Sequence, residues 1–189
     1  MLQLEFVSFP DLSTNRLFLR QLRTSDDTEI FGLRSDERVN AFLDRPKATT
    51  LDDARVFIEK INRGILNKEW FYWAITLKEE TSENKVGKLI GTICLWNISA
   101  EKECAETGYE LHPDYQGKGI MKEAMAAVID FCFERLQLRR IEAFTHKDNG
   151  TSSRLLEKFH FKRDHDLEKE MQGREDFRNM TIYALEQSS

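Results

Sequence analysis

The hydrophobic period changes in the middle of the chain, and this change constrains the fold more than any other feature of the sequence. Three consecutive runs, residues 69–77, 88–96 and 104–112, are dense in aromatic and β-branched side chains and are separated by short polar segments. Such runs indicate strands, and short polar connections between them favour an antiparallel meander. An apolar stripe with a period near 3.6 residues then runs from Met121 to Leu136 and predicts a long helix.

The flanking segments predict further strands and helices around this meander. The alternating residues 15–22 indicate a first strand, and Thr50 with Asp53 predicts the start of an amphipathic helix. After the long helix, we predict a strand at 140–145, a short helix at 152–159, and a closing strand pair at 161–167 and 177–185. The order predicts one α+β domain over residues 1–189, with a mixed, mostly antiparallel, seven-stranded sheet flanked by helices.

Composition excludes several classes of protein. The chain carries 28 Lys and Arg against 33 Asp and Glu, a formal net charge of -5, which argues against a general nucleic-acid binder. The N-terminus lacks the basic region and apolar run of a signal peptide, and no apolar stretch approaches a membrane span. We therefore expect a cytoplasmic protein that contacts neither nucleic acid nor membrane.

The cysteines and histidines predict no disulfide framework and no metal site. Cys94, Cys104 and Cys132 form no C-x-x-C pair, so we expect buried, reduced thiols. The four histidines have no ligand spacing and the sequence contains no G-x-S-x-G elbow, which disfavours metal binding and a serine hydrolase mechanism.

The segment with the clearest chemical meaning is Y-Q-G-K-G-I-M, residues 115–121, between a predicted strand and the long helix. Gly117 and Gly119 allow a tight turn, while the helix start offers unpaired N–H groups and a positive dipole end. Together with Lys118, these groups predict a diphosphate-binding turn. The glycine spacing alone is also compatible with a plain connection. The Rossmann fingerprint is excluded because Lys122 stands where it needs glycine, and the Walker A pattern does not match.

Three segments resemble one enzyme family. The stretch A-E-T-G-Y-E-L-H-P-D-Y-Q-G-K-G-I-M-K-E-A, residues 105–124, resembles the Q/R-x-x-G-x-G/A region of the GNAT acyl-CoA N-acyltransferases, and in particular their RimJ/RimL branch of ribosomal-protein N-terminal acetyltransferases. T-N-R-L-F-L-R at 14–20 and N-G-T-S-S-R at 149–154 are similar to further motifs of that branch. Met121 replaces the Gly or Ala of most GNAT proteins, as in this branch, whereas His160 departs from its usual glycine.

The resemblance implies the GNAT fold, with a V-shaped splay between the central strands, and acetyl-CoA as co-substrate without a metal. Backbone amides of the turn would bind the pyrophosphate, and the bulged strand before it would bond the pantetheine arm through its main chain. Asn149 would contact the pantetheine side, although a plain helix cap remains an alternative. The implied cofactor-binding residues are Leu111, His112, Gln116, Gly117, Lys118, Gly119, Ile120, Met121 and Asn149.

The same resemblance implies catalytic roles for Glu106 and Ser152. Glu106 matches the strand glutamate proposed as general base, and Glu110, on the same face by strand alternation, is the reserve choice. Leu156 stands where many GNAT proteins have a tyrosine acid, so the hydroxyl of Ser152 would donate to the departing sulfur. Solvated or ion-paired carboxylates and a helix-capping serine remain the structural alternatives.

The expected reaction is direct acetyl transfer to a primary amine, with a protein N-terminal α-amine as the leading acceptor. A small amine, such as a polyamine, an amino acid or an antibiotic, is the first alternative, and a non-catalytic acyl-CoA-binding protein is the second. We expect a monomer or a homodimer. The segments predicted to face the acceptor, about 34–50 and 172–174, contain no motif that names it.

Overall fold

The computed structural model describes residues 6–78 and 86–187. The eight strands of this part of the chain form one sheet in the order β1-β2-β3-β4-β5-β6-β8-β7. Neighbouring strands are antiparallel except for the parallel pair β5 and β6. The strands are β1 (Leu12–Ser13), β2 (Leu17–Arg20), β3 (Phe71–Lys78), β4 (Val86–Ser99), β5 (Cys104–Leu111), β6 (Arg140–His146), β7 (Lys162–Arg163) and β8 (Met180–Glu186).

Helices cover both faces of the sheet. They are α1 (Asp27–Ser35), α2 (Glu37–Asn40), α3 (Leu51–Leu66), α4 (Ile120–Asp130), α5 (Gly150–Lys158) and α6 (His165–Glu170). The helix α4 continues into a π-helical turn at Phe131–Arg135. No helix in the described ranges combines the length and apolar character that a bilayer crossing requires.

An apolar core lies on each face of the sheet. On one face, which we call the α3 face, Tyr72 and Cys94 pack with residues of α1 and α3, such as Ile58. On the other, the α4 face, Trp73 and Ile93 pack with α4 and its π-helical turn, and α5 adds Leu156. Alternation along β3 and β4 therefore assigns neighbouring side chains to different faces.

A reciprocal pair of hydrogen bonds accounts for the predicted start of α3. The hydroxyl of Thr50 accepts from the Asp53 N–H and the Asp53 carboxylate accepts from the Thr50 N–H, so α3 begins with the expected capping box. The antiparallel meander of β3, β4 and β5 is confirmed. Its predicted first turn, 81–85, lies outside the described residues. The three cysteines are buried and unbridged, as predicted.

The predicted number of strands and the predicted closing strand pair were wrong. Within the described ranges the sheet has eight strands instead of seven, because the short β1 pairs with β2. The predicted strand at 161–167 is reduced to β7, and α6 replaces its second half. Asp164 explains this change, since its side chain accepts from the backbone amides of Asp166 and Leu167 and caps α6.

The central parallel strands separate at one end. Pairing of β5 with β6 runs from Cys104 opposite Arg140 to Thr107 opposite Ala143. Beyond these residues the two strands no longer pair with each other, although β5 stays paired with β4 to Leu111 and β6 with β8 to His146. This confirms the V-shaped splay. The bulge that the resemblance implied for β5 is absent from its pairing with β4, whose register is unbroken from Glu106 to Leu111. The register shifts fall elsewhere, between β3 and β4 near Thr76 and beyond Trp96.

Candidate functional site

Two helix N-termini flank the opening between β5 and β6. The chain leaves β5 through a 3₁₀ turn, Pro113–Tyr115, and enters α4 after Gly119, while β6 leads through Asn149 into α5. Parallel strands bring their carboxyl ends to one edge, so both helix starts lie at the opening. Unpaired N–H groups and the positive dipole ends make this edge suited to an anionic ligand.

The segment between the 3₁₀ turn and α4, residues 116–119, is the Gly turn. Gly117 and Gly119 have φ values of 72° and 73°, a left-handed conformation that side-chain-bearing residues rarely adopt. A Cβ at Gly117 would meet nothing within 4 Å, so the requirement there is conformational and not one of space. The backbone amides of Gly117, Lys118 and Gly119 find no hydrogen-bond acceptor among the described residues. They are therefore available to phosphate oxygens.

Contacts from the start of the chain fix the Gly turn against α4. The Arg16 guanidinium donates to the Lys118 carbonyl at 3.0 Å and to the Glu123 carboxylate at 2.6 Å. The Thr14 hydroxyl also donates to Glu123, at 2.5 Å. The roles of Arg16 and Glu123 were not predicted, although Arg16 lies within the motif at 14–20. The helix start itself is anchored because the side chains of Ile120 and Met121 are buried in the α4-face core.

Alternate residues of β5 direct their main-chain N–H and C=O groups toward the opening between β5 and β6. The His112 N–H donates to the Ile90 carbonyl at 2.8 Å, on the β4 side. By alternation, the main-chain groups of Tyr109 and Leu111 are directed toward β6, where no strand pairs with them. The Leu111 carbonyl accepts from Gln116 Nε2 at 3.0 Å. His112 therefore does not present its amide to the opening, whereas Tyr109, which the prediction omitted, lines it.

A buried hydroxyl at the vertex of the splay has no partner. Thr107, the last residue of β5 that pairs with β6, is 2% exposed, and its Oγ1 makes no hydrogen bond in the described structure. Buried polar groups in proteins are normally hydrogen-bonded. An unpaired hydroxyl in this place is consistent with a polar ligand group that enters the opening.

The start of α5 joins two predicted residues to Tyr109. The Asn149 side-chain oxygen accepts from the Ser152 N–H at 3.1 Å, which is the helix cap weighed above. The Ser152 hydroxyl is 2.8 Å from the Tyr109 hydroxyl. Burial raises the pKa of Tyr109 to about 12, against the opposing hydrogen bond from Ser152. The phenol keeps its proton at neutral pH and can donate it in a hydrogen bond to Ser152.

Glu106 lies on the α3 face of β5, just before the splay, opposite Trp96 on β4 and Glu142 on β6. Burial raises the pKa of its carboxyl group, a hydrogen bond from Asn97 Nδ2 at 2.8 Å lowers it, and the negative charge of Glu142 raises it. No ion pair in the described ranges involves Glu106. A carboxylate without a cationic partner and with a raised pKa is suited to accept a proton.

Glu110 shares this face but has different partners. It is 8% exposed, and Arg45 Nη2 donates to its Oε2 at 2.5 Å. The Thr92 hydroxyl donates to its Oε1 at 3.2 Å and in turn accepts from the Tyr72 hydroxyl at 2.9 Å. Both oxygens of Glu110 are thus engaged and its charge is compensated. This carboxylate is a weaker candidate for a base than Glu106.

Two segments predicted to face the acceptor lie near the opening between β5 and β6. In the loop between α2 and α3, the ring of Phe42 contacts His146 at the end of β6, with centroids 5.6 Å apart. A cavity of about 960 Å³ lies beside α6 and the start of β8, and its lining includes Gln172, Gly173 and Arg174.

Among the described residues, no cluster of His, Cys, Asp and Glu has an arrangement that could hold a metal ion.

The sequence matches the model of a known protein family. Residues 16–162 match the model described as the acetyltransferase (GNAT) domain. The chain belongs to the GNAT acetyltransferase family. It is 31% identical over 156 residues to Uncharacterized N-acetyltransferase YoaA of Bacillus subtilis (strain 168), a match that covers 82% of this chain and 85% of that protein.

Solved GNAT structures share the fold. Mycobacterium smegmatis RimJ, in complex with CoA-disulfide, superimposes with a TM-score of 0.73 at 19% identity, covering 90% of this chain and 81% of that one. The ribosomal-protein-S5-alanine acetyltransferase of Vibrio fischeri gives 0.73 at 22% identity, covering 94% and 96%. The family match and the curated relative show that this GNAT protein is an acyltransferase, and the acetyltransferases of its family use acetyl-CoA.

Proposed function

We propose that this GNAT acetyltransferase moves the acetyl group of acetyl-CoA to a primary amine by direct attack in a ternary complex, and that the amine is a protein N-terminal α-amine. The observation that carries the proposal is the opening itself. Free turn amides flank it on one side. On the α3 face, just before its vertex, lies Glu106, a carboxylate with a raised pKa and with no ion pair in the described ranges. The N-terminal acceptor rests on the RimJ/RimL resemblance and on the names of the two structural neighbours, RimJ and a ribosomal-protein-S5-alanine acetyltransferase.

The residues that would hold acetyl-CoA are those with unused polar groups. The amides of the Gly turn and of the α4 start, from Gln116 to Met121, would bind the pyrophosphate, with the positive charge of Lys118 beside them. The main chains of Tyr109 and Leu111 would bond the pantetheine arm. Asn149 keeps its side-chain NH₂ for the same arm, because its oxygen is taken by the helix cap. Acetyl-CoA supplies the activated acyl group as a thioester.

The α3 face would then supply the general base of the reaction, and the α4 face would supply the hydrogen-bond donor to the leaving group. Glu106 accepts one proton from the acceptor ammonium, directly or through water, and the freed amine nitrogen attacks the thioester carbonyl. As the carbon–sulfur bond breaks, the nitrogen loses its second proton, which ends on the departing sulfur and gives the CoA thiol. Ser152 donates a hydrogen bond to the departing thiolate. Tyr109 donates to Ser152 Oγ, which leaves the serine proton free to point to the sulfur. The protein needs no metal for either task.

A thiol-release assay with acetyl-CoA tests the proposal. We expect turnover with peptides that carry a free N-terminus and little with polyamines or with antibiotic amines. Turnover confined to small amines would overturn the N-terminal acceptor and leave the acetyltransferase reaction standing.

Calorimetric titration with CoA tests the remaining alternative, a non-catalytic acyl-CoA-binding protein. Binding of CoA without turnover of any amine would favour an acyl-CoA-binding protein. Absence of both binding and turnover would contradict the proposed site itself.

A further inference from the structure

One residue of β4, Asn97, lies in a bulge and has an unusual backbone conformation. Residues 97 and 98 lie opposite a single residue of β5, between the register pairs Trp96–Glu106 and Ser99–Cys104. The φ value of Asn97 is 47°, in the left-handed region. Glycine is the usual residue at such a bulge position, and asparagine is one of the few others that tolerate it. The bulge therefore explains the backbone of Asn97 but not its side chain, since glycine would follow the same path.

The side chain of Asn97 is directed at Glu106. Asn97 Nδ2 donates to Glu106 Oε2 at 2.8 Å across the two strands, and bulges next to functional sites commonly re-aim a side chain in this way. The other carboxylate oxygen, Oε1, accepts no hydrogen bond within the described ranges. The amide therefore holds one oxygen of the carboxylate and leaves the other free to accept a proton.

The titratable and charged groups around Glu106 do not take over this task. Glu142, opposite Glu106 on β6, is itself a carboxylate, and the Arg140 guanidinium is bound to Glu142 at 2.8 Å. On β4, the buried thiol of Cys94 stays protonated because burial raises its pKa. The next carboxylate on this face of β5, Glu110, has its own ion pair. The amide of β4 is therefore the group that orients the Glu106 carboxylate in the described structure.

We propose that Asn97 is a positioning residue, whose side-chain amide holds the Glu106 carboxylate in the orientation that accepts a proton from the acceptor ammonium. This inference rests on the proposed function, because Asn97 has this task only if Glu106 is the base. The same hydrogen bond lowers the pKa of Glu106, which burial and the charge of Glu142 raise. Asn97 thereby extends the pH range in which Glu106 is ionised toward lower pH.

Asn97→Gly separates the hydrogen bond from the backbone, because glycine keeps the left-handed conformation and loses the amide. We expect the acid-side midpoint of its pH profile of kcat/KM to rise by about one pH unit, a loss of about tenfold at acidic pH, as removal of one hydrogen bond to a charged group implies. The plateau at higher pH should stay within about threefold of the wild type, because the base itself is retained. Asn97→Asp should raise the midpoint further, since two adjacent carboxylates resist ionising together.

Glu103→Gly is the matched control. Glu103 has a φ value of 50° in the turn that joins β4 to β5, and its side chain bonds Arg139 at 2.6 Å instead of Glu106. This variant should leave the pH profile unchanged. A midpoint that stays in place in both Asn97 variants, or that moves equally in Glu103→Gly, would overturn the inference and leave the proposed function intact. A merely structural Asn97 would lower the plateau without moving the midpoint.

A titration of the Glu106 carboxyl carbon by ¹³C NMR measures the same hydrogen bond without turnover, with the signal assigned by its loss in Glu106→Gln. We expect a higher Glu106 pKa in both Asn97 variants than in the wild type and in Glu103→Gly. If no acceptor is turned over, or if Glu106→Gln keeps the wild-type pH profile, the proposed role of Glu106 fails, and this titration alone decides whether Asn97 holds its carboxylate. A Glu106 pKa that is equal in all these proteins would contradict the inference.

Discussion

The α4 face and the α3 face contribute to the opening in different ways. The α4 face offers main-chain amides from one continuous segment, the Gly turn and the start of α4, and their positions follow from two left-handed glycines. The α3 face offers charged side chains that come from separate elements, with Arg45 on the loop between α2 and α3 and with Glu106 and Glu110 on β5. A site made of backbone groups depends on local conformation, whereas a site made of charges depends on which distant elements meet.

The largest expected effect comes from the α3 face. Glu106→Gln should lower kcat/KM by about 10²- to 10⁴-fold, the usual contribution of general acid–base catalysis, with little change in CoA affinity. Because burial raises the pKa of Glu106, wild-type kcat/KM should fall as the pH is lowered through that pKa. The variant should lack this inflection in a pH–rate profile. A profile identical in both proteins would remove Glu106 as the base.

The second effect tests the backbone site with a matched pair of glycines. Gly117 and Gly173 have φ values of 72° and 101°, and a Cβ at either position would meet nothing within 4 Å. Alanine at each should cost about 1–2 kcal/mol of the free energy of unfolding, because a left-handed conformation disfavours any Cβ. Only Gly117→Ala should also weaken CoA binding, by about tenfold, the loss expected for roughly one charge-assisted hydrogen bond. Equal CoA affinity of the two variants in calorimetry would contradict a role for the turn amides.

The third expected effect concerns the side chains of the α4 face that would act on the leaving group. Tyr109→Phe removes the hydrogen bond to Ser152 and should lower kcat by about 2- to 10-fold, the value of one hydrogen bond, while CoA affinity is retained. If Tyr109 acts through Ser152, the double variant with Ser152→Ala should be no slower than Ser152→Ala alone. Additive losses in this cycle would mean that the two hydroxyls act independently.

The smallest effect is on stability and again concerns Glu106. Its raised pKa means that the folded state favours the protonated form, so the stability that this group contributes below its unfolded pKa is lost as the pH rises through the folded pKa. Glu106→Gln should therefore gain stability relative to the wild type between acidic and neutral pH, by at most about 1.4 kcal/mol for each unit of pKa difference. Urea unfolding at a series of pH values measures this gain. A pH-independent difference would argue against burial as the cause of the raised pKa.

Most of the fold could be predicted because its signals are local. The period change identified the meander and α4, and the pairing of Thr50 with Asp53 identified the start of α3. The error at 161–167 has a local cause as well, since Asp164 caps a helix that the apolar pattern did not indicate. The position of His112 was missed for another reason: the side of β5 to which a main-chain amide is directed depends on the register with β4.

The sequence by itself determined the sheet, the helix order and the Gly turn, because hydrophobic period, capping side chains and left-handed glycines act over a few residues. Only the tertiary structure decided which side chains meet at the opening. The Tyr109–Ser152 contact spans 43 residues and the Arg45–Glu110 ion pair spans 65. It also separated Glu106 from Glu110, since two carboxylates with the same strand orientation differ only in their partners. Those partners come from other elements, and their distance in space is not encoded in any local pattern.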